Sequence, residues 1–195
     1  MFYWFMQRFL RILFRLFFKT EIRGIENVPS DGKIILAANH MSNWDPPFLA
    51  CFLERPVYYM AKQELFENPI FGGAIRALHA FPVKRGESDR GAIKIALGVL
   101  KSGECLGIFP EGTRSKTGEV QKAEAGVSLI AAMSQAPIVP AAIVGTDQMK
   151  ISRKLFLIFG KPMQFEGKKN DKVAMEKFSD DLMNEIRRLK NSVNV

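Results

Sequence analysis

Short apolar segments alternate with helical segments along most of this chain, and this alternation constrains the fold more than any other feature. When a helix follows each strand, it returns the chain to the same end of the sheet, so the strands pair in parallel. The sequence therefore predicts an α/β fold: a single domain with a mixed, largely parallel sheet flanked by helices. The predicted strands are 33–38, 57–60, 80–83, 105–109, 138–144 and 155–159, and the predicted helices are 1–19, 47–53, 63–78, 89–101, 123–133 and 172–190.

The length and charge of the chain limit its organisation and its partners. A chain of 195 residues suffices for one hydrophobic core, and we divide it into an N-terminal segment, 1–23, and a domain, 24–195. The net charge of +8 predicts an anionic partner, which could be a membrane surface, a phosphorylated substrate or an acidic protein. The basic residues are spread along the chain without a nucleic-acid-binding motif, so nucleic acid is not a predicted partner.

Residues 1–19 combine a narrow cationic stripe with a broad aromatic and aliphatic face. Arg8, Arg11, Arg15 and Lys19 fall within an arc of about 80° on a helix, at 100° per residue. These charges interrupt the run of about 20 apolar residues that a transmembrane helix requires. We predict an amphipathic helix that lies in the interface of an anionic membrane. A helix packed on the protein's own core is the alternative.

The two cysteines, Cys51 and Cys105, lie in apolar stretches and are predicted to be small buried residues in a reducing compartment. No cluster of Cys and His has the spacing of metal ligands, so no metal site is predicted. The N-terminal sequence lacks the pattern of a secretory signal, which predicts a cytoplasmic protein.

A possible catalytic pair follows the first predicted strand of the domain. His40 precedes Asp45 by five residues in the stretch Asn-His-Met-Ser-Asn-Trp-Asp, 39–45. A histidine can take a proton from a hydroxyl at neutral pH, and an aspartate that accepts from its other ring nitrogen can fix the tautomer. By itself, this spacing also fits a structural histidine.

A second polar loop, Phe-Pro-Glu-Gly-Thr-Arg-Ser at 109–115, follows another predicted strand. Gly112 permits a sharp turn, backbone N–H groups in such turns can face an anion, and the planar guanidinium of Arg114 suits a phosphate. A surface turn with a solvated arginine is the alternative.

Together, the two loops resemble the glycerolipid acyltransferases, specifically the 1-acylglycerol-3-phosphate (lysophosphatidic acid) acyltransferases. Three further segments resemble blocks of the same family in the same order: Lys-Gln-Glu-Leu at 62–65, Phe-Pro-Val-Lys-Arg at 81–85 and Ile-Val-Pro-Ala-Ala at 138–142. The resemblance covers residues 24–160, and its first and third motifs are highly specific in combination.

The resemblance implies a step of phospholipid biosynthesis at the cytoplasmic face of the cell membrane. A fatty acyl group would pass directly from acyl-CoA or acyl-carrier protein to the sn-2 hydroxyl of lysophosphatidic acid, without a metal or other cofactor. It implies His40 as the general base and Asp45 as its orienting partner. The residues that would hold the acceptor's phosphate are Arg85, Glu111, Gly112, Thr113 and Arg114.

Two departures from the family pattern leave the acceptor open. His79 stands where relatives commonly have glycine, and we interpret it as structural. Glu124-Ala125-Gly126 replaces a frequent Lys-Lys-Gly, so Lys122 or Lys116 would have to supply the phosphate-binding lysine. The alternative acceptors are glycerol-3-phosphate, another lysophospholipid or an aminolipid.

Two other classes of function are weighed against acyl transfer. A hydrolase could use Cys51 as its nucleophile with His40, but the apolar surroundings of Cys51 disfavour a thiolate. A non-catalytic membrane adaptor would leave His40 and Asp45 without a purpose.

Overall fold

The structure, a computed structural model, describes residues 1–84 and 89–193. Within these ranges, the strands are β1 (Lys19–Arg23), β2 (Ile34–Ala38), β3 (Val57–Lys62), β4 (Ala80–Val83), β5 (Cys105–Ile108), β6 (Ile138–Val144) and β7 (Lys154–Phe159). They form one sheet in the order β1-β7-β6-β2-β5-β3-β4. The neighbouring strands are parallel except for β6 and β7, which are antiparallel. The predicted mixed, largely parallel sheet is therefore confirmed.

Helices cover both faces of the sheet. The helices of the described residues are α1 (Phe2–Phe17), α2 (Asp45–Cys51), α3 (Pro69–Ala77), α4 (Arg90–Lys101), α5 (Gly126–Ser134) and α6 (Lys172–Asn191). Residues of α1 and α2 pack into the core on one face, and residues of α4, α5 and α6 pack into the core on the other. The single domain with flanking helices agrees with the sequence prediction.

The central strand β2 shows why the strands read as continuous apolar runs. Ile35 and Ala37 face the α4–α6 side, whereas Ile34, Leu36 and Ala38 face the α1–α2 side, and all five are buried. Strands β5 and β6 flank β2 and run parallel to it, so the loops that follow all three strands emerge at the same edge. Ligands bind at this carboxyl edge in open α/β sheets.

The chain departs from the predicted elements at residues 19–23. The prediction ended the N-terminal helix at residue 19 and left residues 20–23 in the segment before the domain, but residues 19–23 form β1, which pairs in parallel with β7 at the edge of the sheet. Thr20 and Ile22 are half-buried and alternate with the exposed Lys19, Glu21 and Arg23. This period of two marks an edge strand with one packed face, but Lys19 also continues the spacing of the basic residues in α1.

The predicted helix 63–78 divides at Pro69. A short 3-10 helix spans Gln63–Phe66, and α3 begins at Pro69. The side chain of Asn68 accepts hydrogen bonds from the backbone N–H groups of Ile70 and Phe71, each at 3.0 Å. Asn68 therefore caps α3, and Pro69 occupies a first position where no intrahelical N–H is needed.

Helix α1 packs on the domain through a face that includes polar side chains. Tyr3, Gln7 and Phe14 are buried, and the Gln7 amide donates to the carbonyl of Leu53 at 2.6 Å. Arg11 donates through Nε to the carbonyl of Cys51 at 2.6 Å and through Nη2 to that of Leu53 at 3.0 Å. Arg11 thus donates hydrogen bonds to carbonyls at and just beyond the end of α2, which lack partners within the helix. Its guanidinium group is therefore not part of a free cationic stripe.

The opposite side of α1 is apolar and exposed. None of the helices within residues 1–84 and 89–193 is long and apolar enough to cross a membrane. The alternative of a helix packed on the core is therefore correct for one face of α1, and the other face has no cover from the described chain. The exposed apolar residues of α1 are Phe2, Trp4, Phe5, Phe9, Ile12, Leu16 and Phe17.

Candidate active site

His40 and Asp45 form a buried pair at the carboxyl edge of the sheet. His40 follows β2, Asp45 is the first residue of α2, and the imidazole Nδ1 lies 2.8 Å from the carboxylate Oδ2. The exposed fraction is 7% for His40 and 0% for Asp45. Since an ionised carboxylate only accepts hydrogen bonds, Nδ1 carries the proton and Nε2 keeps a free lone pair. This tautomer is the one that a general base requires.

Asp45 is held by donors from three directions. Besides the imidazole, Oδ2 accepts from the backbone N–H groups of Met41 at 2.6 Å and Ser42 at 2.7 Å. The other oxygen, Oδ1, accepts from the Thr146 hydroxyl at 2.5 Å. These hydrogen bonds offset the cost of burying a carboxylate. Thr146 was not identified from the sequence. Its one sequence signal is its place two residues after a predicted strand, at the same edge of the sheet.

The loop of His40 is tied to the loop 109–115 through its backbone. The N–H of His40 donates to Glu111 Oε1 at 2.9 Å, and the carbonyl of His40 accepts from the N–H of Ser115 at 2.8 Å. Glu111 Oε2 also accepts from the N–H of Gln121 at 3.2 Å, and the side chain is buried. Glu111, predicted to contact the substrate's phosphate, joins backbone segments through both carboxylate oxygens, and its contact with the substrate stays a prediction.

Arg114 lies beside the His40 loop. Its Nη1 donates to Asn43 Oδ1 at 2.9 Å, and its side chain is exposed, so the remaining donors face solvent. Thr113 is exposed next to it. Arg85, the other predicted phosphate ligand, lies outside the described residues. Lys122, proposed to replace a missing lysine, forms a 3.4 Å ion pair with Glu176 of α6.

Gly112 provides the turn that the motif requires. Its φ is 67°, a left-handed conformation that favours glycine, and a Cβ would approach the Glu124 side chain at 3.0 Å. Its N–H donates to the carbonyl of Phe109 at 3.1 Å and so closes the turn. Gly112 therefore shapes the loop, and its N–H already has a partner within it.

An apolar groove opens beside the His40 loop. Trp44, the residue before Asp45, forms one wall, and the second half of α1 forms another. The groove has a volume of about 270 Å³. Its lining is apolar throughout and consists of Leu10, Leu13, Phe14, Phe17, Phe18, Trp44 and Met149.

The second histidine, His79, has a structural environment. Its φ is 64°, and its ring stacks between Tyr3 and Tyr58, with ring centroids 4.8 and 4.5 Å away. Burial lowers the pKa of the His79 imidazole, which favours its neutral form. These contacts agree with the structural interpretation made from the sequence.

Cys51 is unsuited to act as a nucleophile. Burial raises the pKa of its thiol from 9.0 to about 12, although Arg11 and Arg15 act in the opposite direction. A buried thiol of this kind forms little thiolate at neutral pH. The cysteine hydrolase considered from the sequence therefore has no support. Among residues 1–84 and 89–193, no group of three or more His, Cys, Asp or Glu side chains is placed to hold a metal ion.

Comparison with known proteins identifies the family. A family model described as Acyltransferase matches residues 19–144. The 1-acyl-sn-glycerol-3-phosphate acyltransferase of Bacillus subtilis (strain 168) is 37% identical over 158 residues, which cover 79% of this chain and 78% of that protein. The enzyme of the same name from Streptococcus pneumoniae (strain ATCC BAA-255 / R6) is 34% identical over 178 residues, covering 87% and 66% of the two chains.

A solved structure shows the same fold. The crystal structure of the 1-acyl-sn-glycerophosphate (LPA) acyltransferase PlsC from Thermotoga maritima superposes with a TM-score of 0.78 and 28% sequence identity. The match covers 97% of this chain and 80% of the Thermotoga chain. The family match at residues 19–144 spans His40 and Asp45, and this chain belongs to the acyltransferase family.

Proposed function

We propose that this protein transfers a fatty acyl group from a thioester to the sn-2 hydroxyl of lysophosphatidic acid, which gives phosphatidic acid. The observation that carries the reaction is the buried His40, whose Nδ1 lies 2.8 Å from Asp45 Oδ2 while Nε2 remains free to accept a proton. The names of the Bacillus, Streptococcus and Thermotoga relatives support lysophosphatidic acid as the acceptor.

The reaction needs one proton carrier. His40 Nε2 takes the proton of the acceptor hydroxyl as its oxygen attacks the thioester carbonyl carbon. Asp45 stabilises the imidazolium that forms. When the tetrahedral intermediate collapses, the carbon–sulfur bond breaks, and His40 returns the proton to the leaving thiolate. The thioester is already activated, so neither an acyl-enzyme nor a metal or other cofactor is required, and activity should persist in a chelator.

The phosphate of the acceptor is assigned to Arg114, with Thr113 and Arg85. Support comes from the hydrogen bond between Arg114 and Asn43, which keeps the guanidinium next to the His40 loop while its other donors face solvent. Glu111 and Gly112 contribute indirectly because they fix the shape of this loop. Lys122 is a weaker candidate since its ammonium group forms an exposed ion pair with Glu176.

An acyl chain is assigned to the apolar groove beside Trp44. Trp44, the residue before Asp45, lines the groove, so an acyl chain in it would pass beside the loop that carries the catalytic pair. Residues of α1 form much of its wall, and the exposed apolar side of the same helix suits the interface of an anionic membrane. Membrane contact through α1 would let lipid substrates reach the groove directly. The donor is acyl-CoA or acyl-carrier protein, and the cytoplasmic membrane face stays the predicted location.

The test is a kinetic assay of phosphatidic acid formation from lysophosphatidic acid, with acyl-CoA and acyl-carrier protein as alternative donors. His40→Ala should lower kcat by about 10²–10⁴-fold, because it removes the general base, and should alter the acceptor KM far less. Arg114→Ala should raise the acceptor KM by roughly ten- to a hundred-fold, because it removes a charge-assisted hydrogen bond.

Matched variants control this assay. His79→Gln changes the other histidine, and Lys101→Ala removes an exposed cation at the end of α4; both should keep the wild-type parameters. Glycerol-3-phosphate, other lysophospholipids and an aminolipid serve as competing acceptors. A fully active His40→Ala enzyme would rule out the mechanism. A higher kcat/KM for a competing acceptor than for lysophosphatidic acid would make that acceptor the substrate.

A further inference from the structure

We propose that Thr146 is a positioning residue for the catalytic pair: its hydroxyl fixes the Asp45 carboxylate so that it holds His40 in the tautomer protonated on Nδ1. This inference rests on the proposed function, because it assigns Thr146 to the same reaction. Thr146 touches Asp45 and acts on the imidazole only through it.

The orientation of the carboxylate depends on both of its oxygens. Oδ2 accepts from the imidazole and from two backbone N–H groups, and these contacts alone would leave Oδ1 to be placed by packing. The Thr146 hydroxyl donates to Oδ1 at 2.5 Å, and both residues are at most 1% exposed. Since water does not reach this site freely, the hydroxyl is the group that sets the carboxylate plane against the imidazole.

Strand β6 and its turn deliver Thr146 to this position. The Asn39 side chain donates to the carbonyl of Ile143 at 2.9 Å and accepts from its N–H at 2.8 Å, which joins the end of β2 to β6. Gly145 then turns the chain with φ +96°, and a Cβ there would lie 2.5 Å from the carbonyl oxygen of Lys154. Only glycine fits this turn without a shift, and the next residue, Thr146, meets Asp45.

The test compares variants that separate the hydroxyl from the volume of the side chain. Thr146→Val keeps the volume and leaves Oδ1 without this donor, so kcat should fall by roughly ten- to a hundred-fold while both KM values change little. Thr146→Ser keeps the hydroxyl and should retain most of the activity. Ser128→Ala, which removes a buried hydroxyl from α5, is the matched control and should behave as the wild type.

A second measurement does not depend on turnover. The chain has two histidines, so nitrogen-15 spectra of histidine-labelled protein resolve His40 after comparison with the His79→Gln variant. The wild type and Thr146→Ser should show His40 protonated on Nδ1, whereas Thr146→Val should show a mixture of tautomers. If the wild type has no acyltransferase activity but Thr146→Val still changes the His40 tautomer, the proposed function is refuted and the positioning role of Thr146 stands.

Two results would overturn the proposal. One is a Thr146→Val protein with the wild-type kcat and an unchanged His40 tautomer. The other is an equal loss in Thr146→Ser and Thr146→Val, which would assign the effect to the packing of the whole side chain and not to the hydroxyl. In an Asp45→Asn background, Thr146→Val should add little further loss, since the residues act as one unit. If Thr146→Val does not fold, Thr146→Cys replaces it, because a thiol is a weak donor.

Discussion

Two buried carboxylates from different loops hold His40. Asp45 accepts from the imidazole Nδ1, and Glu111 accepts from the backbone N–H of the same residue. The first contact sets the tautomer and the direction of the ring, and the second sets the position of the loop that carries it. The Phe109 ring, stacked on the imidazole with centroids 4.2 Å apart, limits the remaining motion. His40 is thus preorganised by its backbone as well as by its side chain.

We predict that Glu111→Gln destabilises the fold. The amide keeps one acceptor oxygen, but its NH₂ group faces a backbone N–H, so one buried donor loses its partner. The free energy of unfolding should fall by about 1–3 kcal/mol, measured by urea denaturation. The kcat should also fall because the His40 loop shifts. The exposed Glu119→Gln is the control within the same segment. Unchanged stability together with a raised acceptor KM would return Glu111 to the role of a substrate ligand.

The residues of the site differ in how far the sequence reveals them. His40 and Asp45 are five residues apart, so one short loop brings them together and the pattern is visible locally. Thr146 lies 101 residues from Asp45, and their contact exists only because β6 pairs with β2. An acidic residue in a loop, such as Glu111, carries no local sign of whether it meets a ligand or the backbone.

At the scale of elements, α1 is amphipathic in an unusual sense. Its packed face includes Gln7 and Arg11, whose side chains satisfy carbonyls at the end of α2. Its apolar side points away from the domain, where Phe5 and Phe9 are 65% and 46% exposed. A helix that served the core alone would bury these rings. The sequence revealed the amphipathic pattern, but it did not reveal which side packs, because Arg11 belongs to the cationic stripe in sequence and to α2 in space.

We predict that the apolar side of α1 governs membrane affinity. The double variant Phe5→Ser/Phe9→Ser should lower the affinity for anionic lipid vesicles by at least about ten-fold, measured by sedimentation. The reason is that each fully buried ring contributes roughly 1.5–3 kcal/mol. High salt should weaken vesicle binding of the wild type less than the double substitution does, since each basic residue adds only about 1 kcal/mol.

The matched control for this prediction carries two exposed apolar residues elsewhere. Ile151 and Val173 are 74% and 79% exposed, and Ile151→Ser/Val173→Ser should bind vesicles as the wild type does. Equal loss in both double variants would show that α1 is not the specific membrane contact. Complete release of the wild type by salt alone would show that charge, and not apolar burial, dominates.

At the scale of the whole molecule, the parallel sheet assembles the site from distant segments. The loops after β2, β5 and β6 supply the catalytic pair, the turn of Glu111 and Arg114, and Thr146. The alternation of apolar and helical segments predicted the sheet and its flanking helices. It did not predict the strand order, which has no local pattern, or the edge strand β1, whose Lys19 also continues the spacing of the basic residues in α1. Both are decided by which faces of the elements bury one another.

The dense core that supports this sheet also makes the molecule sensitive to alkaline pH. Burial raises the pKa of Cys51 and Cys105 from 9.0 to about 12, and it raises the pKa of Tyr3 from 10.0 to about 12. At a pH between the ordinary and the raised pKa of each group, the folded protein keeps a proton that the unfolded chain releases. Stability therefore falls as the pH rises. The contribution of these groups is complete below about pH 9 and is lost as the pH approaches about 12.

We predict that the urea midpoint decreases steadily from about pH 9 upward, as the linkage between proton binding and folding requires. The double variant Cys51→Ala/Cys105→Ala should show a flatter decline, because the remaining slope comes from Tyr3 and from groups common to both proteins. The alanine variant loses some packing, so the comparison uses the slopes of the two curves and not their absolute heights. Parallel curves would mean that the thiols ionise equally easily in the folded and unfolded states, which their burial opposes.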